Sequence, residues 1–195
     1  MRNRVVVPTS EGPYNPRMEK PRFERDQLIY KGRVAELHKV GVRMPDGRIV
    51  ERDFVHYGGA AVVLPVLGDG SIVMIRNYRF AVEEHLLELP AGMVDGAEDP
   101  EAGAARELAE ETGYVAGRIE PLGVFFTGPG STDERMHAFL ATDLKAGPQH
   151  LEAYEEIRVE THTEEQVRRM ICDGTIHDGK TIAALALYWL KHGKL

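Results

Sequence analysis

GMVDGAEDPEAGAARELAEETGY, residues 92–114, is the stretch on which the reading of this chain turns. Asp99 followed by Pro100 marks a helix start: a short acidic side chain takes the first free amides, and proline suits the first helical position. Gly113 marks the stop, because glycine readily adopts the left-handed conformation in which helices close. Between them Glu107, Glu110 and Glu111 stand at i, i+3 and i+4, on one helix face. Like charges at that spacing repel by roughly a few tenths of a kcal/mol per pair. A hard divalent cation explains the arrangement, since Mg²⁺ takes oxygen ligands together with substrate phosphates. The plain alternative is a solvated acidic face with Arg106 merely paired to Glu110. Ala104, Ala105, Leu108 and Ala109 form a separate small apolar stripe that can lie close against a sheet.

Upstream of this helix, residues 1–24 are rich in proline and charge, without periodicity, and read as an extended or partly disordered lead. Residues 25–57 then alternate. DQLIYKG, RVAELHKVGVRM and RIVERDFVHY predict three strands, with turns at Gly32 and at Pro45-Asp46-Gly47. Gly58-Gly59 breaks the pattern. AAVVLPVL (60–67) is a continuous apolar run, as expected of a strand buried on both faces. SIVMIRNYR (71–79) and LLELPAGM (86–93) predict two further strands.

Downstream, strands are expected at 118–127 and 134–143, a loop at 144–156, a strand at 157–162, and helices at 163–174 and 180–193, the last strongly apolar on one face. Strands and helices mix without strict alternation. The fold expected is therefore α/β in the broad sense, α+β in detail: an α/β/α sandwich on a mixed sheet, preceded by a small antiparallel sheet. The domains expected are 1–58 and 59–195.

The 195 residues suit one domain with a small appendage. A net charge of −7 and the lack of a basic run argue against nucleic acid as a partner. One cysteine, Cys172, excludes an intrachain disulfide and a cysteine-based zinc site, and fits a reducing compartment. No segment has a signal peptide's apolar region or 18 consecutive apolar residues, so a cytoplasmic protein without a membrane span is expected. There is no G-x-S-x-G for a serine nucleophile and no H-E-x-x-H for a zinc hydrolase.

Gly92, then Glu98 after five residues, then Arg106-Glu107-Leu108 after seven more, then Glu110-Glu111 and Gly113, match the Nudix signature at every fixed position. Only Tyr114 stands where an aliphatic residue is more usual. The chain thus resembles Nudix hydrolases. That resemblance implies metal ligation by Glu107 and Glu111, with Glu110 and the Ala91 carbonyl as further ligands. It also implies that Arg106 orients a glutamate and that Glu98 stabilises the loop-helix geometry. The implied cofactor is Mg²⁺, or Mn²⁺, with two or more ions.

Outside the box, the chain is similar to the ADP-ribose pyrophosphatase and nucleoside-diphosphate-sugar hydrolase subgroup. Its N-terminal sheet implies a homodimer and part of the substrate pocket. RDFVHYGGAAVVL (52–64) resembles the subgroup's linker, which makes Arg52 and Asp53 candidates for reading the base. In RNYRF (76–80) and ELPAG (88–92), Arg79 is implied to contact a phosphate and Glu88 to join the metal or loop network. In TGPGSTDER (127–135), Pro129 lies fifteen residues past the box, as in ADP-ribose hydrolases. Gly130 allows close approach of a ligand, and Glu134 is implied to contact the distal ribose. The acidic loop HLEAYEEIRV (150–159) places Glu155 as metal ligand or general base. The subgroup's second acidic position falls on Ala153, leaving Glu152 or Glu156 as substitutes.

The activity implied is metal-dependent attack of water on the diphosphate of ADP-ribose or a related nucleoside diphosphate sugar, releasing a nucleoside monophosphate and a sugar phosphate. The alternatives are the same chemistry on GDP-mannose or a UDP-sugar, and a catalytically silent nucleotide-binding module. TIHDGKT (175–181) occurs in similar form in GDP-mannose hydrolases.

Overall fold

The computed structural model describes residues 21–94, 97–151 and 156–194. Three antiparallel strands come first: β1 (Arg22–Lys31), β2 (Ala35–Arg43) and β3 (Ile49–Tyr57), in the order β1-β2-β3. Residues 22–24, expected in the lead, already pair with the far end of β2, because Arg22 faces Arg43 across the ladder. The turn at 45–47 is closed by Gly47 at φ 85°, a conformation that favours glycine.

The central sheet is mixed and runs β7-β4-β10-β9, from β4 (Gly59–Pro65), β7 (Ala91–Met93), β9 (Arg118–Phe126) and β10 (Arg135–Thr142). β4 and β10 are parallel, and the outer pairs are antiparallel. A second sheet, antiparallel, runs β12-β5-β6, from β5 (Ile72–Arg79), β6 (Glu84–Glu88) and β12 (Arg158–His162). A two-stranded ribbon joins β8 (Tyr114–Val115) to β11 (Lys145–Ala146), inside the segment expected to be loop.

The apolar run of β4 is buried on both faces, as its composition predicts. Ala61 and Val63 meet Ala104 and Leu108 of helix α1 (Pro100–Thr112), together with Phe139 and Ala141. Ala60, Val62 and Leu64 face the other way, into a core shared with Ile72 and Met74 of β5 and Leu87 of β6. Helix α3 (Gly179–Lys191) closes that core with Ala184, Leu185, Tyr188 and Trp189, one helical stripe. Helix α2 (Glu164–Cys172) contributes Val167 from behind a capping box made by Thr163 and Gln166. Helices thus cover both sides of the mixed sheet, as expected.

The expected single strand at 86–93 is two strands in two sheets. β6 pairs with β5 and β7 pairs with β4, with Leu89-Pro90 crossing between them. Its amide and carbonyl groups are satisfied across that gap: the Leu89 amide donates to Thr181 Oγ1 at 2.8 Å, and the Pro90 carbonyl accepts from Val63. The crossing brings the end of β6, the start of β7 and the start of α3 together.

Candidate active site

Helix α1 begins and ends on its sequence signals. Asp99 caps it through the Glu101 amide with Pro100 in the first turn, and Gly113, at φ 74°, closes it with its amide on the Ala109 carbonyl. Glu110 and Glu111 sit in its last turn, where the helix dipole presents its negative end and disfavours carboxylates. No basic residue in that turn offsets them.

Three different environments hold the three glutamates. Glu111 is buried, and its Oε2 accepts from the Ala91 amide at 2.8 Å. Burial pushes its carboxyl up to about 8; the Ala91 amide and the Arg79 charge oppose this, while Glu107 and Glu88 add to it. Glu107 Oε1 accepts from Arg106 Nη1 at 2.7 Å, and Glu110 Oε2 from the same nitrogen at 3.1 Å. Arg106 also grips both oxygens of Glu98 at 3.2 Å and the Met93 carbonyl at 3.0 Å. It is thereby held well above the usual guanidinium range, by Glu98 first and then by Glu107 and Glu110. Arg106 fastens the loop before α1 to the acidic face of the helix.

The glycine that opens the box is required by packing. A Cβ at Gly92 would collide with the Glu107 carboxylate. β7 therefore runs directly against the acidic face, with Ala91 on Glu111 and Gly92 on Glu107. As the side chains lie, no three carboxylate or imidazole groups among the described residues converge enough to hold an ion. Arg106 draws Glu107 and Glu110 to itself, and Glu111 turns to the Ala91 amide. The donor set is nevertheless the kind a divalent cation takes: three carboxylates on one helix face, one of them buried, beside the backbone of β7.

A cleft of about 590 Å³, within the range of small-molecule sites, opens along β7; Glu107, Glu110 and Glu111 are not among its lining residues. Ala91, Gly92 and Met93 form one wall, and Phe125, Phe126 and Thr127 another. Two cations stand in it, Arg79 and Lys180. Arg79 Nε donates to Glu88 Oε1 at 2.7 Å; burial works against its charge, and Glu88, with Glu111 and Asp178 behind it, more than restores it. Lys180 bonds the other Glu88 oxygen and lies 3.0 Å from Asp178 Oδ2. Glu88 is fully buried, so it serves as a shared anchor for two cations rather than as a cleft surface. Lys180 was not singled out in the sequence; it is 92 residues from Glu88, and nothing local ties them.

Glu134 lines the cleft and accepts from Thr127 Oγ1. Pro129 and Gly130 are exposed in the turn between these two residues and do not line the cleft. Arg52 and Asp53 lie exposed on β3, also away from the cleft lining of their own chain; Arg52 bonds only the Glu51 carbonyl among the described residues. Glu156 lines a second depression of about 500 Å³, with Arg76, His85 and Arg158. Glu152 and Glu155 lie outside the described residues. No described helix is long and apolar enough to cross a membrane.

Comparison with known proteins bears on the family and the fold. The family model for the NUDIX domain matches residues 56–185. The chain is 35% identical to an ADP-ribose pyrophosphatase of Bacillus subtilis over 176 residues, covering 89% of this chain and 95% of the relative. It is 34% identical to a methanol dehydrogenase activator of Bacillus methanolicus over 163 residues, 83% and 88% of the two chains. A solved structure described as an ADP compounds hydrolase superposes with a TM-score of 0.78 at 20% identity, over 91% of this chain and 98% of the other.

Proposed function

The chain belongs to the Nudix hydrolase family, and on that footing we propose that it hydrolyses the diphosphate of ADP-ribose or a related nucleoside diphosphate sugar, with Mg²⁺, to a nucleoside monophosphate and a sugar phosphate. The observation that carries this reading is the cleft itself. Arg79 and Lys180 face it from one side, and the Ala91-Gly92 wall backs directly onto Glu111 and Glu107.

Each side chain has a task. Arg79 spends only its Nε on Glu88 among the described residues, so its two terminal nitrogens are available for paired, charge-assisted bonds to phosphate. Lys180 adds a second charge beside it. Glu107, Glu110 and Glu111, with the Ala91 carbonyl, would hold the divalent cations. Those ions, when bound, neutralise the diphosphate and acidify a water. Arg106 positions Glu107 and Glu110, and Glu98 holds Arg106. Glu155 takes the proton from the attacking water, with Glu152 and Glu156 as neighbours able to replace it. Phe125 and Phe126 give the cleft an apolar wall, and Glu134 a hydrogen-bonding one.

The N-terminal unit, residues 1–58, is read as the dimerisation and substrate-contact part, and 59–195 as the hydrolase domain. Phe23, Leu28, Tyr30 and Ile49 are exposed on the N-terminal sheet, which supports a homodimer formed there. Arg52 and Asp53 would then contact the base at a cleft completed by the second copy. The lone cysteine and the absence of a membrane-spanning helix among the described residues suit a cytoplasmic enzyme.

The test is incubation with Mg²⁺ and a panel of ADP-ribose, GDP-mannose, UDP-sugars and dinucleotides, read by product mass. ADP-ribose giving AMP and ribose 5-phosphate fastest is the expected result. Preference for GDP-mannose or a UDP-sugar moves the substrate within the class, and no cleavage of any member overturns the reading.

A further inference from the structure

The N-terminal sheet and the cleft are joined at one place in the backbone. After Val55, the parallel pairing between the β3–β4 segment and the irregular segment leading into β10 slips by one residue. Val55 faces Thr132, but Gly59 faces Arg135, so residues 56–58 oppose only 133 and 134. Before the slip the backbones bond directly: the Val55 amide donates to the Ser131 carbonyl at 2.8 Å and the Asp133 amide to the Val55 carbonyl at 3.4 Å. At the slip a side chain takes over. Asp133 Oδ1 accepts from the Tyr57 amide at 2.9 Å, and Asp133 Oδ2 lies 2.6 Å from His56 Nδ1.

The very next residue is Glu134, which lines the cleft and whose carboxylate is bonded by Thr127 across the turn. The turn is itself compact: the Ser131 and Thr132 amides and Thr132 Oγ1 all donate to the Gly128 carbonyl. A compact turn moves as one piece, so whatever fixes its end fixes Glu134. Both oxygens of Asp133 are used on β3, and none on the turn that carries it, among the bonds found at the described residues.

We propose that Asp133 is a positioning residue that locks Glu134 against the cleft by fastening its turn to His56 and Tyr57, and so sets the affinity for the part of the nucleoside diphosphate sugar that meets Glu134. This rests on the functional reading above. The N-terminal sheet thereby acts on substrate affinity through this fastening within a single chain.

The experiment uses the full chain and four variants, Asp133→Ala, Asp133→Asn, Glu134→Ala and the Asp133→Ala/Glu134→Ala double, on whichever panel substrate the wild type cleaves best. Asp133→Ala should raise KM about tenfold, the effect of losing one charge-assisted contact, with kcat changed much less. Asp133→Asn, which keeps an acceptor for the Tyr57 amide, should recover most of that loss. If Asp133 acts through Glu134, the double variant has the KM of Glu134→Ala alone. Unchanged KM in Asp133→Ala, or effects that multiply in the double, overturn the inference. Hydrogen exchange supplies an arm independent of substrate: the amides of Tyr57, Gly128 and residues 130–134 should exchange faster in Asp133→Ala, and unchanged exchange also overturns it. A wild type that cleaves no panel member defeats the functional reading instead, and the exchange arm then decides whether Asp133 locks the turn.

Discussion

Glu111 Oε2 and the Ala91 amide, 2.8 Å apart, join the buried end of the acidic helix to the strand that walls the cleft. The carboxylate most removed from water is thus the one pinned to backbone, while Glu107 and Glu110 are held by a side chain, Arg106.

That burial makes Glu111 costly to the metal-free protein. Its carboxyl ordinarily titrates at 4.5 and is pushed up to about 8 in the fold. The folded state therefore retains a proton that the unfolded chain releases. The stabilisation is fully present below the unfolded value and is lost as pH rises through about 8. Glu111→Gln keeps an acceptor for Ala91 and removes the charge. In the presence of EDTA its Tm should exceed wild type by about 2–6 °C near pH 9, and the advantage should vanish near pH 4.5. Hydrolysis by the same variant with Mg²⁺ should fall by at least about 10³-fold. Equal Tm at both pH values would contradict the burial argument.

Gly92→Ala places a methyl group where the Glu107 carboxylate lies. Circular dichroism should show an unchanged fold, because Glu107 can swing away. The displaced carboxylate should lower kcat/KM by about 10²-fold. Full activity would show that Glu107 has no fixed part in the site.

Arg106→Lys retains the charge but cannot grip both Glu98 oxygens and the Met93 carbonyl together. Thermal unfolding should shift down by about 3–8 °C. The loop before the helix should also become more protease-sensitive than in the wild type.

Lys180→Met leaves fully buried Glu88 with Arg79 as its remaining cation among the described residues. Breaking such a pair costs about 3–5 kcal/mol, whereas replacing both members costs less. Lys180→Met combined with Glu88→Gln should therefore be more stable than Lys180→Met alone in urea denaturation. Simple additivity would mean that Glu88 does not depend on Lys180.

Removal of divalent ions gives the broadest check. Dialysis against EDTA should abolish hydrolysis, and Mg²⁺ or Mn²⁺ should restore it while raising Tm.

Local signals were enough for the acidic helix, because Asp99, Pro100 and Gly113 act through contacts within a turn of themselves. They were enough for β4 too, because a strand buried on both faces must be apolar throughout. They were not enough at ELPAG. Glu88 and Ala91 differ in which sheet they join, and that depends on β5 and β4 rather than on the segment. The same limit hid Lys180 and Asp133. Each is defined by a partner more than 70 residues away, and neither a lone lysine in the first turn of a helix nor an aspartate in a turn announces one. The box glutamates were legible as a set; how Arg106 distributes itself among them was not.

The bond from the Leu89 amide to Thr181 Oγ1 bears on how the molecule comes into being. Asp178, Gly179, Lys180 and Ala183 supply a side of the cleft, and Thr181 secures the crossing that presents Ala91 and Gly92. A chain emerging from the ribosome can form the acidic helix early. It cannot complete the cleft until α3 has followed, so the cleft arrives late in synthesis, well after Glu107, Glu110 and Glu111 have been made.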